Sequence, residues 1–128
     1  MEKPKNKSIL IVEDEPLLHK VLSKRLTASG FTVTIATDGE EAIEILKEVK
    51  PSLVLLDIVL PKKSGFEVLA EIRKMPSFKK IPVLILSNLG QEKDKEQLKE
   101  LGIQEYLVKS DFSLSEMVKK IEEHLAKI

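Results

Sequence analysis

Cysteine is absent from the 128 residues, which excludes a disulfide framework, thiolate zinc sites and thiol catalysis and suits a reducing cytoplasm. No run approaches the roughly 20 apolar residues needed to cross a bilayer, and Met1–Lys7 lacks the apolar segment of a signal peptide, so the chain reads as soluble and unexported. Net charge is also missing: 21 basic side chains cancel 21 acidic ones. No overall field exists to hold a nucleic-acid backbone or an anionic membrane, so direct binding to either is not expected. Histidine is confined to positions 19 and 124, too far apart in sequence to imply a metal cluster; His19 is expected at the surface or partly packed, and His124 near the end of a charged helix. The length fits one domain with one core.

What is present alternates. Short apolar runs, Ser8–Val12, Phe31–Ala36, Leu53–Leu56, Ile81–Leu86 and Gln104–Val108, are separated by stretches with helical spacing. Pro16–Ser29 carries Leu17, Leu18, Val21, Leu22 and Leu26 and ends at Gly30. The second stretch opens at Asp38 with Ala42, Ile45, Leu46 and Val49 as its inner stripe, and Pro51 breaks it. The third runs from Gly65 to Pro76. The fourth, Gln91–Leu101, has only Leu98 and Leu101 to bury and is predicted to dock weakly. The last opens with a capping box, Ser113-Leu114-Ser115-Glu116. This pattern predicts an α/β, flavodoxin-like (βα)5 fold: a doubly wound parallel sheet in the order 2-1-3-4-5, with a ligand crevice at the carboxyl ends of strands one and three. Residues 1–7 are a basic extension and 8–127 the domain.

Strand one finishes in Glu13-Asp14-Glu15 and strand three in Asp57. Acids after a strand often cap the next helix, and Asp14 or Glu15 alone fits that role. Asp57 does not, because it directly follows four apolar residues, where an unpaired charge costs several kcal/mol. Crowded carboxylates repel, and a divalent cation resolves the conflict; an oxygen-only set with access to water suits Mg2+ or Mn2+. Strand four ends in Ser87-Asn88. Strand five ends in Lys109, two strand spacings (roughly 10 Å) from Asp57, within joint reach of the two side chains.

With Ile11-Val12-Glu13-Asp14-Glu15-Pro16, Leu55-Leu56-Asp57-Ile58-Val59-Leu60-Pro61, Gly65, Ser87 and Tyr106-Leu107-Val108-Lys109, the chain resembles bacterial response-regulator receiver domains over about residues 8 to 127. The resemblance implies a phospho-acceptor of a two-component phosphorelay, a signalling switch rather than an enzyme, acting in the cytoplasm. It implies that Asp57 receives a phosphoryl group from a phosphohistidine on a sensor histidine kinase or phosphotransfer protein. Asp14, Asp57 and the Val59 carbonyl would bind Mg2+, with Glu13 acting through metal-bound water. Lys109 and Ser87 would hold the phosphoryl oxygens. Tyr106 would change rotamer with Ser87, switching a surface of helix four, strand five and helix five toward a downstream protein that the sequence does not name.

Three features depart from the family pattern. Ser110 stands where a proline with a cis bond is usual; a cis bond to serine would cost ~2.5–4 kcal/mol, so a trans or strained bond is predicted, with Lys109 placed differently in detail. Asn88 replaces a small residue. Val59 and Leu89 flank the site as apolar residues and are expected to hinder the water that would release the phosphate.

Other functions fit the residues less well. A receiver-like module that acts without phosphorylation is the main alternative. A flavin or nucleotide site would need a phosphate cradle where Glu13-Asp14-Glu15 stands. A metal-dependent aspartyl phosphatase would need a second acid two residues after the first, where Pro16 follows Asp14.

Overall fold

The computed structural model describes residues 7–88 and 92–128, with the backbone alone for 92–94. Leu89, the Gln91 start of the fourth helix and the basic extension before Lys7 therefore lie outside the described residues. Five strands, β1 (Ser8–Val12), β2 (Thr32–Ala36), β3 (Leu53–Leu56), β4 (Val83–Ser87) and β5 (Glu105–Val108), alternate with α1 (Pro16–Ala28), α2 (Gly39–Leu46), α3 (Gly65–Lys74), α4 (Glu92–Leu101) and α5 (Leu114–Ala126). All neighbouring strands pair parallel, in the order β2-β1-β3-β4-β5. The predicted architecture is thus the observed one.

Because side chains alternate across a strand, the continuous apolar runs supply two cores. Ile9, Ile11, Leu53, Leu55, Leu84, Leu86 and Leu107 pack on one face under α1 and α5. Leu10, Val12, Val54, Leu56, Val83 and Ile85 pack on the other under α2, α3 and α4. The helix starts are fixed by side chains. Asp38 Oδ1 accepts from the Glu41 N–H at 2.8 Å, and Ser64 and Ser113 each form a capping box, with Glu67 and Glu116. Such caps contribute about 1 kcal/mol apiece.

Three local expectations need correction. α2 ends at Leu46, so Val49 lies beyond the helix it was expected to line; two turn residues and Pro51 end the helix early. His19, expected at the surface or partly packed, is buried, because it shares the 19, 22, 26 stripe of α1 with Leu22 and Leu26. α4 has a further anchor besides the buried Leu98. Arg73 of α3 donates from Nε to the Leu101 carbonyl (2.9 Å) and from Nη2 to that of Gly102 (2.6 Å), while Nη1 reaches the Phe78 carbonyl (3.0 Å). One guanidinium therefore satisfies carbonyls left open at the α4 carboxyl end.

Candidate functional site

The sheet ladder runs one residue past the strands that meet at the crevice. The Glu13 N–H donates to the Ala36 carbonyl and the Asp57 N–H to the Val12 carbonyl, both at 3.0 Å. Glu13 and Asp57 are thereby held in strand alternation, on the face covered by α1 and α5. Lys109 follows β5 with the same parity as Leu107. Its ammonium lies 3.0 Å from Asp57 Oδ2, 2.8 Å from Glu13 Oε1 and 3.1 Å from Glu15 Oε1. The joint reach expected between strands three and five is realised directly.

Glu13, Asp57 and Lys109 are all buried, so each charge depends on the others. Burial pushes the Glu13 carboxyl up to about 7, against the pull of Lys109 and with the help of the Asp57 charge. Burial works against the charged form of Lys109, but Glu13 and Asp57 outweigh it and raise its pKa. Of the two Asp57 oxygens, Oδ2 takes Lys109 and Oδ1 accepts from the Val59 N–H at 3.2 Å.

Glu13, Asp14 and Asp57 each present a carboxylate oxygen within 4.8 Å of the others. Glu13 Oε1 is buried, and its one close polar partner among the described residues is the Lys109 ammonium at 2.8 Å. Asp14 is exposed, which leaves a route for water. Clustered hard oxygen donors, one of them on an exposed carboxylate, fit Mg2+ or Mn2+ rather than zinc.

Glu15 was readable only as one of three consecutive acids. It occupies the position before α1 but makes no side-chain cap there; instead its carboxylate joins Lys109, and its N–H donates to Glu13 Oε2 at 3.1 Å. Ser110 brings no distortion: no cis peptide bond occurs among the described residues, and Lys109 still reaches Asp57 as it enters a short 3-10 turn, Lys109–Asp111. That departure from the family pattern is harmless to the contact.

Ser87 and Tyr106 lie on the opposite face. Tyr106 stands across from Ile85 in the β4–β5 register, packs against the core shared by α2, α3 and α4, and has the Lys95 ammonium 5.4 Å from its ring centre. Ser87, two residues after Ile85, ends β4 fully buried. Val59, 58% exposed, stands at the crevice rim with Asp14, Glu15, Asp57 and Asn88. His124 is bound to Glu105 Oε1 at 2.9 Å, at the far end of the sheet from the crevice.

Residues 9–122 match the family model for the response regulator receiver domain. The chain belongs to that family. This receiver domain is 40% identical to a probable transcriptional regulator, ycf27, of Porphyra purpurea over 121 residues, covering 94% of the chain and 48% of that protein. It thus spans about half the length of the curated relatives it matches. Among solved structures, the Mn2+-bound form of the response regulator Rcp1 superposes with a TM-score of 0.83 at 38% identity, covering 91% of this chain and 92% of that one. The phosphorylated cyanobacterial phytochrome response regulator RcpA gives 0.85 at 36% identity and covers 94% of both. Relatives of the same fold are therefore known with a metal and with a phosphoryl group. No helix among the described residues is long and apolar enough to cross a membrane.

Proposed function

We propose that this receiver domain is the phospho-acceptor of a two-component relay and that Asp57 is the residue modified. The observation that carries the reading is the buried Glu13–Asp57–Lys109 cluster at the ends of three strands. A carboxylate oxygen of Asp57 attacks the phosphorus of a donor phosphohistidine. The new O–P bond forms as the P–N bond breaks, and its electron pair leaves on the imidazole nitrogen.

Phosphoryl transfer asks mainly for alignment and charge stabilisation. Lys109 supplies a cation already in contact with the acceptor, and Ser87 supplies a hydroxyl at the end of the adjoining strand. Glu13, Asp14, Asp57 and the Val59 carbonyl would hold Mg2+ or Mn2+. When bound, the cation neutralises charge on the phosphoryl oxygens. The added group brings about −1.5 to −2 charges, which draws Lys109 and Ser87 toward it. Tyr106 on the same sheet face as Ser87 passes the change to α4, β5 and α5, where a downstream protein reads it. The domain acts as a cytoplasmic switch and turns over no substrate of its own.

The donor is a sensor histidine kinase or a phosphotransfer protein. A groove of about 460 Å³ lies beside the crevice, with Leu17, Leu18, Phe112 and Met117 in its walls, and shares Glu15 and Asn88 with the acidic pocket. Leu17, at 80% exposure, gives such a partner apolar surface within reach of Asp57. Val59 at the rim excludes water from the acyl phosphate, so Val59→Asn hastens phosphate loss; an unchanged lifetime counts against this role.

Incubation with Mg2+ and a small phosphodonor, followed by intact-mass measurement, tests the reading. One phosphoryl adduct is expected on the wild type and none on Asp57→Asn. An adduct that survives in Asp57→Asn contradicts the assignment. No adduct on the wild type favours the alternative module that works unphosphorylated.

A further inference from the structure

The segment between Asp57 and α3 carries both the Val59 N–H that binds Asp57 Oδ1 and the Val59 carbonyl. Its near end is held by α3: the Gly65 N–H donates to the Ile58 carbonyl at 2.8 Å. Its far end makes a tighter turn. Lys62 has φ +68°, the one positive φ at a non-glycine residue among those described, and the Lys63 N–H donates back to the Pro61 carbonyl at 2.8 Å. A bond that skips one residue, around a centre of positive φ, is the rare and strained form of γ-turn. A lysine has no local reason to adopt it, so the surroundings must impose it.

Those surroundings are the first residues of α2. The Gly39 N–H donates to the same Pro61 carbonyl at 3.3 Å, and Asp38 Oδ2 lies 3.7 Å from the Lys62 ammonium. Gly39 touches the loop so closely that a Cβ there would stand 2.4 Å from the Lys63 carbonyl oxygen and 2.5 Å from Lys63 Cβ. Glycine is a poor helix former, and no other residue fits against Lys63 here, so glycine at the first position of α2 serves the contact and not the helix.

We infer that Gly39 and the Lys62 γ-turn are positioning elements of the phosphorylation site: the α2 amino end braces the Asp57–Ser64 loop and thereby sets where the Val59 backbone meets Asp57 and a bound divalent cation. This rests on the metal reading above. If only the braced loop binds the cation well, the apparent affinity scales with the fraction of molecules that keep the turn. The identity of residue 62 then acts through its backbone, although its side chain is exposed.

Calorimetric titration of Mg2+ into the unphosphorylated protein separates the possibilities without using activity. Lys62→Gly, which accepts positive φ freely, is expected to bind within about twofold of wild type, since no strained conformer is lost. Lys62→Val, whose branched side chain resists positive φ, is expected to bind roughly fivefold or more weakly, the fold-change of a strain of order 1 kcal/mol. Gly39→Ala is expected to weaken binding similarly while circular dichroism shows the helices intact. Equal Mg2+ affinity in Lys62→Gly and Lys62→Val overturns the inference while leaving the metal reading in place. Wild-type protein that binds no Mg2+ overturns both.

Discussion

The two faces of the sheet do different work with residues one position apart in parity. On the α1–α5 face, Glu13, Asp57 and Lys109 are buried together, with the Lys109 ammonium in contact with both carboxyl groups. On the α2–α3–α4 face, the strands that end at the crevice carry Ser87 and Tyr106, polar but uncharged, bordering apolar packing and a helix held by Leu98 and Arg73. In the proposed mechanism a strand period of two thus separates the groups that react from the groups that respond, while keeping both within two strands of Asp57. The first face is held by ion pairs at the crevice, and the second by apolar packing and the Arg73 hydrogen bonds at the end of α4.

This contrast is broken most severely at Lys109. Lys109→Met leaves Glu13 and Asp57 buried without their cation, an expected loss of roughly 3–5 kcal/mol in urea unfolding near neutral pH. Added Mg2+ is expected to restore part of it, because the carboxylates regain a positive partner. A loss under about 1 kcal/mol would mean the three charges are not mutually dependent.

Arg73→Met probes the other face. Three bonds from one guanidinium to carbonyls are lost, for an expected cost of about 2 kcal/mol. Amide exchange is expected to quicken in the α4 carboxyl end before any other element. Uniform quickening across the sheet would show that α4 is not a separately held element.

The smallest effect lies away from the crevice. Burial opposes the Glu105 charge, but hydrogen bonds from His124 and Lys120 outweigh it and lower its pKa. The folded pKa is below the unfolded one, so the contribution is present above about pH 4.5 and is lost as pH falls through the lowered value. Screening at this partly exposed site keeps it near ~0.5 kcal/mol. Glu105→Gln should therefore be less stable than wild type at neutral pH and indistinguishable at about pH 2–3. A gap that persists in acid would assign the effect to packing.

Much of this division was legible in the sequence, for a physical reason. Apolar runs too short for helices, each followed by a helical stripe, leave little freedom but a parallel sheet, and acids directly after Val12 and Leu56 mark where that sheet stops being apolar. Element ends were less legible: the loss of Val49 from α2 is decided by a turn before Pro51, not by hydrophobic spacing. His19 reads as a surface or partly packed residue because histidine is polar, while its place on the α1 stripe buries it. The Lys62 turn was not legible at all. Glycine and asparagine advertise positive φ, and here the conformation is imposed on a lysine by Gly39, distant in sequence.

The division of labour has one direct test. The chain contains one tyrosine and no tryptophan, so tyrosine emission reports Tyr106 alone. Emission followed while Mg2+ and a small phosphodonor modify the protein, with the adduct measured by mass in parallel, should change in step with phosphorylation in the wild type. In Ser87→Ala the adduct should still form while the emission change is lost or much reduced. Tyr106 emission that stays constant through full phosphorylation of the wild type, or changes equally in Ser87→Ala, would contradict the claim that one face reacts and the other responds through Ser87.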